Sequence, residues 1–347
     1  MADVARLAGV SYQTVSRVLN DLPHVRASTR ARVLAAIRES GYRPNAAART
    51  LVTGRSHTLG VVAVDTVFFG PASTLAGIER AARDTDYAIN IVTPRTPDGD
   101  SVLEAVDRLR NQAVAGVIVI APRDSVAGVL ARAAAGVSLV GAGCGRIEQV
   151  GGVAVDQRAG AALATRYLLD LGHRTVHHVA GPAGWLDAAG RAEGWRAELK
   201  RVGAAIPPPL TGDWSARSGY TAGRTLARDP AVTAVFCAND HMALGLLRAF
   251  HEAGRQVPSE VSVIGFDDIP GSPYFAPPLS TIRQNFGELG RSTLQLLVEQ
   301  LQAGTPVPRR VLIAPDLIVR SSTRPPAPAR GGRPGRRRPP PRPRRDG

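Results

Sequence analysis

The sequence has little of what marks secreted, membrane or metal-dependent proteins. Among 347 residues there are two cysteines, Cys144 and Cys237, which lie far apart without C-x-x-C spacing or a nearby histidine. This pattern argues against a disulfide framework and a metal site and predicts reduced, buried thiols. No run reaches the roughly 18 consecutive apolar residues of a membrane span, and the first residues do not resemble a signal peptide. We therefore expect a soluble cytoplasmic protein with no metal, cofactor or membrane partner.

Common catalytic motifs are also missing. The sequence contains no Walker motif, no G-x-S-x-G elbow and no H-E-x-x-H motif. The run 141–145, Gly-Ala-Gly-Cys-Gly, imitates a dinucleotide fingerprint, but Arg146 replaces its third glycine, and residues 148–155 lead into a strand instead of a phosphate-binding helix. We predict that the protein is not an enzyme. The weak alternative is a dehydrogenase, which a lack of nicotinamide binding would exclude.

Positive charge is concentrated at the two ends of the chain. Of the net charge of +14, residues 1–55 contribute nine arginines against three acidic residues, and residues 324–347 contribute nine arginines against one. The second segment is almost entirely Pro, Arg, Gly and Ala, so we predict a disordered tail that either adds salt-sensitive phosphate contacts or has no role. A basic N-terminal segment on a neutral body is typical of a DNA-binding protein whose body has another task.

Residues 10–20 carry the most informative pattern, because apolar and polar side chains fall on opposite faces of one predicted helix. The apolar face is Val15, Val18 and Leu19, and the polar face is Tyr12, Gln13, Ser16 and Arg17. Ser11 can cap this helix, which places its first turn where DNA-reading helices meet base edges. One such helix alone could pack on any core. Two further helices, 3–8 with Val4, Leu7 and Ala8 inward and 29–39 with Val33, Leu34 and Ile37 inward, predict an all-α helix-turn-helix head.

From residue 59 onward, apolar strand-like runs alternate with amphipathic helices. The predicted strands are 59–64, 87–92, 116–120, 137–140, 153–155, 176–180, 234–238 and 261–264, and the predicted helices are 74–82, 102–110, 126–134, 161–171, 192–200, 218–226, 242–253 and 289–301. This alternation predicts an α/β body with parallel sheets covered by helices on both faces. Two doubly wound lobes of this kind would form a cleft for a small ligand at the carboxyl ends of their strands.

In this order, the head, the linker and the body resemble the LacI/GalR family of bacterial transcription regulators over residues 3–323. The matching motifs are 10–20, Gly41-Tyr42-Arg43-Pro44-Asn45, Leu171-Gly172-His173, Ala180-Gly181-Pro182, Gly212-Asp213-Trp214-Ser215, 238–245, 263–268 and 277–282. The resemblance implies a DNA-binding head (1–45), a hinge helix (46–57), a body of two periplasmic-binding-protein-like lobes (58–155 with 286–314, and 156–285 with 315–323) and the tail (324–347). The N-terminus is shorter than the family norm, which leaves open a start codon further upstream. The tail stands where some members have a tetramer-forming helix, so we expect a homodimer.

The resemblance also implies which residues contact DNA. Base edges would be read by Tyr12, Gln13 and Arg17, and the backbone would be contacted by Ser11, Thr14, Ser16, Asn20 and His24. The chemistry agrees, because Arg can bind guanine with two donors, Gln can pair with adenine, and Tyr can touch a thymine methyl group. His24 could equally be a solvated loop residue. Leu51 matches the hinge leucine that wedges into the minor groove, although by itself it would be interpreted as a linker residue that packs on the body.

A sugar effector is implied for the cleft. The corresponding residues are Phe69, Pro71, Ala72, Asp187, Arg191, Trp214, Asn239, His241, Asp267, Gln284 and Phe286, with Gly70 in the same wall. Forked donors, amides and carboxylates suit adjacent hydroxyls, and flat aromatic rings suit the C–H side of a sugar. Alternatively, Arg191 is a surface charge and Trp214 a core residue. Asp240 is expected to cap a helix and Trp195 to pack in the core. Trp185 lies in a Gly/Pro loop, and the sequence does not assign it a role.

Together these features predict a repressor that binds a pseudo-palindromic operator in double-stranded DNA. A sugar, a galactoside or related glycoside, would weaken operator binding by separating the hinges. Asp187 and Gly141 differ from the family's galactoside-responsive type, so the alternatives of another effector and of a corepressor remain open. A sugar-binding transport protein would share the body, but it would need a signal peptide and no DNA-binding head. We expect the protein on the nucleoid in the cytoplasm.

Overall fold

The computed structural model describes residues 1–19, 23–42, 56–144 and 150–327. Two residues with predicted DNA contacts, Asn20 and Leu51, lie outside the described residues, as does most of the predicted hinge. The tail beyond residue 327 lies outside them as well. Within the described ranges, no helix combines the length and the apolar character that crossing a membrane requires.

The head consists of three helices, α1 (Ala2–Ala8), α2 (Tyr12–Leu19) and α3 (Ala27–Ser40). Its core is Val4, Ala8, Val15, Val18, Val33 and Ala36. Gly9 ends α1 with φ 62°, a left-handed conformation that glycine adopts without steric cost and that turns the chain toward α2. The backbone N–H of Thr14 donates to Ser11 Oγ over 3.2 Å, which confirms the predicted cap.

Two leucines of the head do not lie where helical periodicity placed them. Leu7 is 45% exposed and Leu34 is 42% exposed, so the prediction that both face inward was wrong. The core of three short helices is narrow, and each helix buries only its central line of small or β-branched residues. The leucines beside that line therefore remain at the rim, where periodicity alone does not distinguish them from core residues.

The first lobe is built on a six-stranded parallel sheet. Its strands are β1 (Thr58–Ala63), β2 (Ala88–Val92), β3 (Gly116–Ile120), β4 (Ser138–Ala142), β5 (Gly151–Val155) and β11 (Arg310–Ile313), in the order β11-β5-β4-β3-β1-β2. Helices α4 (Phe69–Ala82), α5 (Gly99–Asn111), α6 (Asp124–Ala127), α7 (Leu130–Ala133) and α12 (Phe286–Ala303) accompany it. The predicted helix 126–134 is thus two short helices, interrupted at 128–129.

The second lobe has a four-stranded parallel sheet in the order β7-β6-β8-β9. The strands are β6 (His177–Ala180), β7 (Leu210–Thr211), β8 (Ala234–Cys237) and β9 (Ser262–Ile264), and the helices are α8 (Gln157–Asp170), α9 (Leu186–Arg201), α10 (Ala216–Leu226) and α11 (Asp240–Glu252). A 3₁₀ turn (Ser272–Tyr274) follows β9. The antiparallel pair β10 (Thr281–Arg283) and β12 (Asp316–Ile318) lies where the chain passes between the lobes.

The ordered chain extends past the predicted start of the tail. Arg324 donates its backbone N–H to Ser262 Oγ over 3.0 Å, and its carbonyl oxygen accepts from the same hydroxyl over 2.9 Å. His173 Nε2 lies 3.0 Å from that carbonyl oxygen. Assigning Arg324 to a disordered tail was therefore wrong, because its backbone completes the hydrogen bonding of two buried side chains at the edge of the second sheet.

Two helices of the second lobe pack almost backbone to backbone. A Cβ atom added at Gly219 of α10 would lie 2.0 Å from the Met242 carbonyl oxygen, and one added at Gly245 of α11 would lie 1.8 Å from the Ala216 carbonyl oxygen. Both distances are far below van der Waals contact. Neither helix can therefore accept a side chain here unless the pair separates.

We expect Gly245→Ala to lower the free energy of unfolding by about 1–3 kcal/mol, as overpacking does. The measurement is urea unfolding followed by tryptophan fluorescence. Gly287→Ala in α12 is the matched control, because the nearest atom to an added Cβ lies 3.6 Å away, and alanine favours a helix. Equal stability of Gly245→Ala and the wild type would contradict this packing.

Candidate functional site

A cleft of about 360 Å³ opens between the two lobes at the carboxyl ends of their strands. Most of the predicted effector residues line it, namely Phe69, Pro71, Asp187, Arg191, Trp214, Asn239, His241 and Asp267, together with Gly70. Each lies after a strand or in the first two turns of the helix that follows one, as expected for a binding site in open α/β sheets. Residues separated by up to 198 positions, from Phe69 to Asp267, are thereby brought to one cavity.

Three predicted residues lie elsewhere. Gln284 and Phe286 line a smaller cavity that shares Gly70, Pro71 and Asp187 with the main cleft. Ala72 lines neither cavity, and its place in the wall stays a prediction.

Arg191 is a buried cation at the centre of the polar side of the cleft. Only 3% of its surface is exposed, so the alternative of a surface charge does not apply. Its Nε donates to Gln157 Oε1 over 2.8 Å, and its Nη1 donates to the Ala238 carbonyl oxygen. Its Nη2 lies 3.7 Å from Asp187 Oδ2 and 3.5 Å from Asp267 Oδ1. One guanidinium is thus shared by two carboxylates, and this group offers acceptors and a donor to the cavity.

Asp267 is held in a strained and poorly solvated position. Its φ is 112°, an uncommon value for a residue with a side chain, and its Oδ1 accepts from Gln284 Nε2 over 2.7 Å. Burial raises the pKa of Asp267 to about 7, even though Arg191 acts in the opposite direction. Burial also raises the pKa of Asp187. Hydroxyl donors from a ligand would compensate for the lost hydration of these carboxylates.

The apolar side of the cleft is a group of aromatic rings. Trp214, at φ 73°, lies against Gly181, where an added Cβ would sit 2.2 Å from its ring. Trp185 meets Trp214 edge to face at 5.6 Å and Phe68 at 5.1 Å. Trp214 is only 7% exposed, so it belongs both to the core and to the cleft wall. Its indole Nε1 has no hydrogen-bond partner among the described residues.

The other tryptophan has a structural role. Trp195 is fully buried and donates its indole N–H to the Val176 carbonyl oxygen over 2.8 Å. This confirms the prediction that it packs in the core. The sequence did not assign a role to Trp185, and the structure places it in the cleft wall.

The cap of α11 begins one residue earlier than predicted. Asn239 Oδ1 accepts from the backbone N–H of Met242 over 2.9 Å, and its Nδ2 donates to the Trp214 carbonyl oxygen over 3.0 Å. Asp240, the predicted cap, is instead fully buried and accepts from Ile269 N, Ser272 Oγ and Thr281 Oγ1. The prediction for Asp240 was wrong, because three donors from distant segments converge on its carboxylate.

The head presents the predicted DNA-reading side chains to solvent. Tyr12 is 58% exposed, and Gln13 and Arg17 are also exposed, on the face of α2 opposite Val15 and Val18. Among the predicted backbone contacts, Ser11 and His24 are exposed, whereas Thr14 and Ser16 are half-buried. His24 has φ 73°, so the chain turns sharply there.

Several cleft residues were missed by the sequence reasoning. They are Val67, Phe68, Ser215 and Ala216 in the main cleft and Gln157 in the smaller one. Gln157 begins α8 two residues after β5, and Phe68 lies in the loop after β1, so the rule that ligands gather at the carboxyl ends of strands could have found both. Within the described part of the chain, no cluster of three or more His, Cys, Asp or Glu side chains could hold a metal.

Comparison with known proteins agrees with this arrangement. The family profile "Bacterial regulatory proteins, lacI family" matches residues 1–45, and the profile "Periplasmic binding protein-like domain" matches residues 165–323. The lactose operon repressor of Escherichia coli (strain K12) is 34% identical over 92% of this chain and 89% of its own length. The chain belongs to the lacI family. The predicted fold class, a helix-turn-helix head on a two-lobed α/β body, is thereby confirmed.

Solved structures extend the comparison to the whole fold. A lac repressor dimer bound to operator and the anti-inducer ONPF has a TM-score of 0.86 and 34% identity, covering 93% of this chain and 98% of that one. A complex of the transcriptional regulator CelR with cellobiose has a TM-score of 0.69 and 33% identity, covering 92% and 98%. The lacI-family relatives are transcriptional repressors that bind DNA and respond to sugars or other effectors, and the expected dimer fits the lac repressor structures.

The raised pKa of Asp267 predicts a pH dependence of stability. Between an ordinary aspartate pKa near 4 and about 7, the unfolded chain has lost this proton while the folded protein retains it. The contribution of Asp267 therefore lowers the free energy of unfolding as pH rises through this window and is constant above it. We expect the free energy of unfolding, measured with urea, to decline less steeply in Asp267→Asn than in the wild type as pH rises from 5 to about 7.

Glu198→Gln is the control for this experiment. Hydrogen bonds from Arg166 lower the pKa of Glu198 to about 2, so its proton is absent from both states above pH 5. The variant should lose stability by a similar amount at each pH in the window. If Asp267→Asn and the wild type have the same slope, Asp267 does not retain a proton in the fold.

Proposed function

We propose that the protein is a homodimeric repressor that binds a pseudo-palindromic operator in double-stranded DNA and is controlled by a sugar. The main support is that one chain combines two features. One is the exposed face of α2, and the other is a cleft in which Asp187 and Asp267 share the buried guanidinium of Arg191. The division proposed for the chain is a DNA-binding head (1–45), a hinge (46–57) and two lobes (58–155 with 286–314, and 156–285 with 315–323). An operator-binding protein of this kind acts at the nucleoid, in the cytoplasm.

In the head, base readout is assigned to Tyr12, Gln13 and Arg17. Their exposure on one face of α2 supports this role, because a helix in the major groove presents a single face to base edges. Backbone contacts are assigned to Ser11, Thr14, Ser16 and His24. Minor-groove contact by Leu51 follows from the resemblance alone.

In the cleft, a glycoside matches the division between polar and aromatic walls. Ring hydroxyls can bind Asp187, Arg191 and Asp267, while the apolar face of the sugar packs on Trp214. One solved relative, the transcriptional regulator CelR, is a complex with the sugar cellobiose. A galactoside or related glycoside is our first candidate. An effector that acts as corepressor is the second, because the same cleft can favour either lobe arrangement.

The function is tested by fluorescence anisotropy of the purified protein on a lac-type palindromic duplex at fixed salt. Titrations with galactosides, cellobiose and unrelated sugars follow. One sugar should change operator affinity by about 5–150-fold, the range of ordinary allosteric coupling. Absence of specific DNA binding would overturn the repressor assignment, and operator binding that no sugar changes would overturn the sugar assignment alone.

We expect Arg17→Ala to lose discrimination between the operator and a scrambled duplex. Removing a two-donor contact to guanine costs about 1–3 kcal/mol of discrimination, while the cleft stays intact and sugar affinity is unchanged. Arg38→Ala is the matched control, since Arg38 is exposed in the last turn of α3 and lies outside the reading face. If Arg17→Ala still prefers the operator as the wild type does, α2 is not the reading helix.

We expect Asp267→Asn to bind the operator but to lose most of its response to the sugar. At pH 8, above the pKa of about 7 of this carboxyl, the substitution keeps the shape of the side chain and removes the charge opposite Arg191, so hydroxyl donors lose an ionised acceptor. Tyr220→Phe serves as control, because Tyr220 bonds to Glu252 on an exposed helix surface. Release of the operator at wild-type sugar concentrations would show that Asp267 does not bind the effector.

A further inference from the structure

Beside the cleft, the two lobes are joined by backbone hydrogen bonds. Arg123 follows β3 of the first lobe, Trp185 follows β6 of the second, and the two residues form an antiparallel bridge. The Asp124 N–H donates to the Gly184 carbonyl oxygen over 3.1 Å, and the Leu186 N–H donates to the Pro122 carbonyl oxygen over 3.0 Å. Two loops from different lobes thus pair as short strands at the edge of the cavity.

The side chain of Arg123 continues this junction across the lobes. Its Nε donates to Asp65 Oδ2 over 2.5 Å, and its Nη2 lies 3.4 Å from Asp65 Oδ1. Its Cζ lies 4.8 Å from the centre of the Trp185 ring. A guanidinium held by a carboxylate of one lobe therefore rests on an indole of the other, an arrangement in which the ion pair fixes the orientation of the cation–π contact.

Asp65 also positions the start of α4, which forms the first-lobe wall of the cleft. It has φ 55°, and its carbonyl oxygen accepts from the Phe68 N–H over 3.0 Å at the start of α4. Phe68 in turn packs edge to face on Trp185. Asp65 thus holds two of the groups that contact Trp185, the Arg123 guanidinium and the Phe68 ring. Its side chain is 11% exposed and that of Arg123 is 28% exposed, so solvent screens their interaction only in part.

We propose that Asp65 and Arg123 form a clasp that closes the effector cleft by holding Trp185 in its wall. They are positioning residues, since neither lines the main cavity, whereas Trp185 does. Opening of the lobes would separate Arg123 from Trp185 and expose the indole at the cleft entrance. The effect of the clasp on sugar affinity rests on the proposed function, but its effect on Trp185 does not.

The clasp is tested first without any ligand, through acrylamide quenching of tryptophan fluorescence. All three tryptophans are buried in the closed structure. Arg123→Gln should raise the quenching constant above that of the wild type, and the rise should vanish when Trp185→Phe is added. Asp65→Asn should give a similar rise, because asparagine tolerates its positive φ. The double variant should quench no more than either single one, as expected for one coupled pair.

Arg166→Gln is the matched control. Arg166 binds Glu198 with the same forked geometry, at 2.8 and 3.1 Å, on a surface away from the cleft. It should quench as the wild type does. Equal quenching constants for Arg123→Gln and Arg166→Gln would overturn the clasp, and so would a rise that persists in the Trp185→Phe background.

The second measurement uses whichever of lactose or cellobiose changes operator binding. Arg123→Gln should bind that sugar about tenfold more weakly, the order expected from losing one partly buried cation–π contact and its ion pair. Arg123→Lys keeps the charge but not the forked donor geometry. Its sugar affinity should lie between that of the wild type and that of Arg123→Gln. Unchanged sugar affinity in Arg123→Gln would overturn the link between clasp and cleft, even where quenching rises. If neither sugar acts, the quenching result alone decides the clasp.

Discussion

The cleft depends on the need to neutralise one buried guanidinium. A charge as poorly solvated as that of Arg191 is stable only when it is paired and hydrogen bonded. Its partners form a closed ring, in which Arg191 binds Gln157, Gln157 donates to Gln284, Gln284 donates to Asp267, and Asp267 lies beside Arg191. Because Gln284 lies between β10 and α12, this ring ties the second lobe to the segment that enters the first lobe.

The turn after β9 extends this ring to the crossing strands. Asp267 faces the cleft, and its neighbour Asp268 accepts from Arg283 over 2.7 Å and from Arg320 over 2.6 Å. Arg283 ends β10, and Arg320 follows β12, so both arginines belong to the chain where it passes between the lobes. One turn with two positive φ values thus contacts the effector side and the crossing side. The two sides are therefore only one peptide unit apart.

How much the sequence could predict depended on whether a feature leaves a local pattern. The reading face of α2 followed from helical spacing, and the long buried strands followed from continuous apolar runs of five or six residues. Strands β7, β10 and β12, with two or three residues each, are too short to show a period. The role of Asp240 could not be predicted, because its donors lie 29 to 41 residues away. The clasp between Arg123 and Asp65 spans 58 residues and likewise leaves no local signal.

Backbone strain shows what constrains the residues around the cleft. Asp65, Trp214 and Asp267 all have positive φ values, each of which costs on the order of 1 kcal/mol or more for a residue with a side chain. Glycine at these positions would remove that cost, but it would also remove the partner of Arg123, the wall of the cleft and the partner of Arg191. The strain is therefore retained where the side chains act on the cleft. In the head, by contrast, Tyr12 and Arg17 lie on a regular helix, because reading a groove requires exposure on one face and no unusual backbone.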